Sequence, residues 1–324
     1  MRRALWVLAP LVLLVLCALA IALGPVPLGV AGVRDGLLGV GDANAIAIVR
    51  AIRLPRLVLA VIVGAALGMA GGALQGSLRN ALAEPYLLGV SGGAAVGAVL
   101  AFGAGVRGAF AIPIFACLGA GASVAAVLLL ARAAGGRADP RVLIMAGVII
   151  GAFANAVIMV VLANAPPNTV RGAVWWMMGS VADAGWPQIR WLGAYVLVGA
   201  AVLLLMARDI DVLALGEEPA AALGLNVDRS ARRIYLAASL LAAATVAAAG
   251  LIGFVGLMVP HIVRAFGIRR HRALLVGAAL VGAALVVAAD LVARTAMPPA
   301  ELPLGAVTAL LGVPFFLLRL RTLA

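Results

Sequence analysis

Lysine is absent from this chain, and all 24 basic residues are arginine. A phosphate-binding loop of the GxxxxGK[ST] form needs a lysine to reach the β- and γ-phosphates, so any nucleotide-driven work must come from another polypeptide. Charge is scarce at 11% of residues, aromatic residues make up 5%, and there are two histidines and two cysteines. The sequence holds no HExxH, no zinc-ligand spacing and no carboxylate pair within an apolar run. That excludes a credible intramembrane enzyme and implies neither a metal nor a cofactor. Cys17 and Cys117 lie deep in apolar runs and are expected to pack as small hydrophobes.

Apolar side chains account for 65% of the 324 residues, and the mean hydropathy is +1.20. One globular core of this length cannot hide so much apolar surface, so lipid is the solvent. The 39 glycines and abundant alanines suit membrane helices whose backbones approach closely. A formal net charge of +12 could suggest nucleic acid, but the arginines are scattered between apolar runs and form no clustered basic face.

Stretches free of Asp, Glu and Arg cover residues 4–33, 57–78, 85–106, 108–131, 142–170, 191–207, 234–263, 273–289 and 302–318. About 20 residues suffice for a helix to cross a bilayer, so each can span. The 234–263 stretch is longer than one span needs and GLIGFVG breaks it at 250–256, which predicts two helices there and ten in all. The first run is too long for a secretory signal and is expected to be a retained span. The fold class is therefore all-α and polytopic, with one transmembrane domain over residues 1–324. Placing both termini in the cytoplasm puts 16 of the 24 arginines inside and eight outside, in keeping with the positive-inside rule.

Three polar features stand out. The longest inside loop, 208–233, carries DIDVLALGEEPAAALGLNVDRS and has room for two short helices, the first capped by Asp211 and the second begun by Pro219. Arg50, Arg53 and Arg56 are spaced to share a helix face on the side where arginine should be sparse, with Pro55 marking the start of the second span. Asp290 lies four residues before Arg294, so an intrahelical ion pair is available; the other reading is a proton-carrying acid in a gradient-driven secondary transporter.

Several segments together resemble one family. RLPR at 53–56, GALQGSLRNALAEPYLLGVSGGA from Gly72 to Ala94, WWMMGS from Trp175 to Ser180, GLIGFVGLMVPHIVR from Gly250 to Arg264, AADLVAR at 288–294 and ELPLGAVTALLGVPFF at 301–316 run in order across almost the whole chain. They are similar to the permeases that import ferric siderophores, haem and cobalamin with a paired ABC ATPase. One departure is Asn80, Ala81, Leu82, Ala83, where the family commonly has Asn-Pro-Leu-Ala.

The resemblance implies a type II ABC importer permease in the cell inner membrane. It would be a homodimer with two cytoplasmic ATPase subunits and a periplasmic substrate-binding protein, and would carry no catalytic residue itself. It implies that Arg53, Arg56 and Arg294 receive acidic groups of the binding protein. It also implies that Glu218, Ala221 and Gly224 dock the ATPase, and that Asn80 and Leu82, with Asp139 and Pro140 nearby, form a cytoplasmic gate. His261 and the group Trp175, Trp176, Met177 and Met178 are expected to be structural rather than haem ligands.

Overall fold

The computed structural model describes residues 2–106, 108, 110–134 and 140–321, which form helices and connections without a strand. Helix α1 (Arg2–Ala22) is followed by two short helices, α2 (Val30–Leu38) and α3 (Ala43–Ala47). A π-helical turn (Ile48–Arg53) then leads without a break into α4 (Leu54–Ser77), so that one 35-residue rod runs from Ala43 to Ser77. The helix therefore starts well before Pro55. A proline deprives its helix of one hydrogen bond, and the wide turn just ahead of it accommodates the loss.

The chain continues through a 3₁₀ turn (Pro85–Leu88), α5 (Val90–Gly103), α6 (Ala111–Ala133), α7 (Pro140–Ala163), α8 (Pro167–Met177) and α9 (Trp186–Leu205). Next come the short α10 (Ala207–Leu213) and α11 (Glu217–Ala222), then α12 (Val227–Ala249), α13 (Val255–Ala265), α14 (His271–Thr295) and α15 (Leu304–Arg321). Among the described residues, seven helical runs are long and apolar enough to cross a membrane; α5, α13 and the apolar part of α15 are shorter. Together they make the ten hydrophobic helices expected from the sequence.

α4 is the centre of the bundle, packed by α14, α12, α13 and α9. Its glycines explain how so many helices reach it. A Cβ on Gly64 or Gly68 would strike the Gly282 or Ala278 carbonyl of α14, and one on Gly71 would strike the Gly256 carbonyl of α13. α5 and α6 make a second such crossing, Gly93 against Gly119. Large side chains such as Leu14, Phe153, Met159, Trp191 and Leu197 point outward, where lipid would meet them. Cys117 is also exposed on α6, contrary to the buried position expected for it, because α6 turns that side of its helix away from the bundle.

The expected break in the 234–263 stretch is present. α12 stops at Ala249 and α13 begins at Val255, with Gly250 (φ 70°) and Phe254 (φ 66°) both left-handed. Unwound backbone inside a membrane bundle must find partners within the protein. Here the Tyr86 hydroxyl accepts from Ile252 N at 3.0 Å, and Glu84 Oε1 accepts from Phe254 N at 2.7 Å.

Candidate functional site

Polar groups gather at the two ends of the bundle. At one end, where α4 and α15 begin and α14 finishes, three arginines lie almost wholly buried: Arg53, Arg56 and Arg294 are 4%, 6% and 4% exposed. Arg53 Nη1 donates to the carbonyls of Ile21 and Ala22 at 2.6 and 2.8 Å, and its Nη2 donates to Val26 O. Arg294 Nη2 donates to Ala20 O at 2.9 Å. Both side chains thus satisfy carbonyls that the last turn of α1 leaves without helical partners.

Arg56 holds a carboxylate on each side. Asp290 accepts from its Nε at 2.9 Å and from Nη2 at 2.8 Å, while Glu301 accepts from Nη1 at 2.8 Å and from Nη2 at 2.9 Å. Arg294 Nε lies 3.5 Å from Asp290, so the expected pair within α14 exists, but it is the looser of the two contacts to that acid. Asp290 is thereby clamped between two guanidinium groups, an arrangement unlike that of a proton carrier open to water. Arg50, expected on the same face as Arg53, points elsewhere and donates to Gly36 O and Leu37 O. The π turn between them rotates the two side chains apart.

At the opposite end the loop after α4 turns at Arg79, whose φ of 50° is left-handed. Asn80 Oδ1 accepts from Leu82 N at 2.9 Å, a side-chain turn that stands in for a backbone one. Leu82 is exposed, and His261 Nε2 lies 2.8 Å from Ala81 O, tying the loop to α13. The His261 ring also meets Phe316 edge-on at 5.4 Å, so the imidazole has packing and hydrogen-bonding work within the fold. Pro140 opens α7, which packs on the Pro85–Leu88 turn; Asp139 lies outside the described residues.

The 208–233 loop folds into two short helices, but with different punctuation from that expected. Asp211 lies inside α10 and caps α14 instead: its Oδ1 accepts from His271 N at 2.9 Å and lies 2.7 Å from His271 Nδ1. α11 starts at Glu217 behind Gly216 (φ 117°), two residues before Pro219, since only a glycine takes that backbone turn at low cost. Glu218, Ala221 and Gly224 are all exposed, flanked by exposed Leu215 and Leu223. Glu217 Oε1 accepts from Arg79 Nη2 at 3.2 Å, so α11 touches the Arg79–Pro85 loop directly.

Sequence reasoning missed Glu301, Glu217 and Glu84 as partners. For Glu301 a signal was available: with Asp290 it is one of two acids between the last two apolar stretches, on the side already read as arginine-bearing.

A ten-helix arrangement with an arginine cluster at one end and an exposed short helix at the other can be compared with known proteins. Residues 12–322 match the FecCD transport family. The chain belongs to that family. It is a multi-pass membrane permease of the ABC-importer type. The cobalamin import system permease protein BtuC of Halobacterium salinarum is 44% identical over 85% of this chain and 73% of its own. The hemin transport system permease protein HmuU of Yersinia pestis is 38% identical over 82% of this chain and 80% of its own. A solved structure described as an inward-facing metal-chelate type ABC transporter superposes with a TM-score of 0.87 at 29% identity, covering 98% of each chain.

Proposed function

We propose that this FecCD-family chain is the membrane-spanning half of an importer that moves a bulky metal chelate or tetrapyrrole inward: haem, a ferric siderophore such as ferric citrate, or cobalamin. Two copies form the pathway between them, two separate ABC ATPase subunits drive it, and a binding protein delivers the cargo. The membrane is the cell inner membrane, and both termini face the cytoplasm. Relatives named for cobalamin, hemin and Fe(3+)-citrate import support this range of substrates.

The observation that carries the reading is the contact between α11 and the loop after α4. A short helix with small exposed residues on it and just past its end (Ala221, Gly224) behind an acidic first turn (Glu217, Glu218) suits insertion into a partner's groove. The Arg79–Glu217 ion pair then joins it to the Asn80–Leu82 turn. Movement of an ATPase-bound α11 would pull on Asn80 and Leu82, the expected gate, beside Asp139 and Pro140. Leu82 keeps a constriction dry while Asn80 holds its turn. At the other end Arg53, Arg56 and Arg294 supply positive charge beneath the face that meets the binding protein, which steers acidic groups to it.

Vesicles holding this permease with its ATPase on the luminal face should take up one of haem, ferric siderophore or cobalamin when ATP is enclosed and the binding protein and cargo are supplied outside. Vesicles holding the permease alone should show no uptake under a proton gradient. Gradient-driven uptake by the single chain, lost on Asp290→Asn, would overturn the reading.

A further inference from the structure

Arg56 carries two carboxylates of different standing. Asp290 is buried, with its side chain 3% exposed; the Glu301 side chain is 35% exposed, on the connector between α14 and α15. Losing Asp290 would strand a buried charge, whereas Glu301 can turn into water and be hydrated there. The two parallel hydrogen bonds from Arg56 to Glu301, 2.8 and 2.9 Å long, are the fork geometry that any incoming carboxylate would adopt.

We infer that Glu301 is a displaceable internal ligand of Arg56, occupying the position that a carboxylate of an outer docking partner takes during capture. The inference rests on the functional reading only for the partner's identity; its chemistry is that of an acidic side chain. Charge balance favours exchange over simple addition. Arg53, Arg56 and Arg294 against Asp290 and Glu301 leave one net positive charge, and a second opens only when Glu301 swings away. A partner's carboxylate then restores the first balance. Arg294 Nε adds a buried N–H without a hydrogen bond, beside the same cluster.

Glu301 therefore acts as a brake on docking. A site that is competent only part of the time binds more weakly in proportion to that fraction. Glu301 also stands just ahead of α15, whose first residues are held by Leu304 N to Gly179 O at 3.1 Å and Gly305 N to Met178 O at 3.0 Å. Those bonds keep the helix in place while the side chain moves.

The test uses full-length protein in nanodiscs, with a hexaglutamate peptide as the acidic probe and phenylglyoxal labelling of Arg56 read by peptide mass. Glu301→Gln should bind hexaglutamate about tenfold tighter than wild type and label at Arg56 about tenfold faster, and Arg56→Gln should erase the gain in peptide binding. Glu301→Asp, which keeps the charge but shortens its reach, should fall between; it carries the test if the glutamine variant does not fold. Folded variants whose labelling and peptide affinity equal those of wild type would overturn the inference. Uptake that needs no binding protein, alongside the expected labelling, would instead overturn the functional reading and leave this one standing.

Discussion

Arg56 illustrates how a single side chain can be a structural anchor and, in the proposed function, a charged group at a docking face. Its side chain is 8% exposed and engages Asp290 and Glu301 with four of its N–H groups in bonds of 2.8–2.9 Å. Removing one partner from a buried pair leaves an unpaired ion, at a cost of about 3–5 kcal/mol. Arg56→Ala should accordingly lower the thermal unfolding midpoint in detergent well below that of wild type. Arg34→Ala, which removes an exposed ion pair with Asp35, should change stability by less than about 1 kcal/mol. Equal midpoints for the two variants would show that the buried cluster contributes nothing to stability. The arginines were legible in the sequence as an anomaly of placement. Their burial was not, because it depends on α1 and α14 converging on α4, and no local pattern encodes that meeting.

Among elements, α4 shows what glycine spacing does. Gly64, Gly68 and Gly71 lie along it at intervals of four and three, which puts them on one stripe facing α14 and α13. With no side chain in the way, helix backbones touch there and gain dispersion contacts that lipid cannot replace. Gly71→Ala should therefore destabilise by about 1–3 kcal/mol, since its Cβ would meet a backbone oxygen that cannot step aside. Gly121→Ala on α6 has open space within 4 Å and should be neutral or slightly stabilising through better helix propensity. Comparing the unfolding midpoints of the two variants separates packing from propensity; matching shifts would refute the packing account. The short helices were harder to read. Asp211 has the composition of an N-cap, yet it caps a helix that begins 60 residues later. A capping side chain needs only to reach an N–H, and the sequence does not say whose.

At the scale of the molecule, the bundle separates its polar groups between its two ends. The Arg56 cluster is at one end, and α10, α11 and the Arg79–Pro85 loop are at the other, where Arg2 Nε also donates to Gly267 O at 2.9 Å. If that second end faces the cytoplasm, alkaline phosphatase fused after Asp183 should be active in cells and the same enzyme fused after Ala324 inactive. The reverse pattern would invert the proposed topology.

Composition, hydropathy and the break at 250–256 were enough to establish a membrane protein of ten hydrophobic helices, because bilayer thickness and backbone hydrogen bonding leave a chain little freedom in lipid. The absence of lysine excluded a GxxxxGK[ST] phosphate loop with the same economy. Tertiary structure alone decided which charges meet. Arg56 and Glu301 are 245 residues apart, and Arg79 and Glu217 are 138. Ion pairs over such separations are set by how helices cross, and the crossings depend on side-chain shapes along whole helices at once.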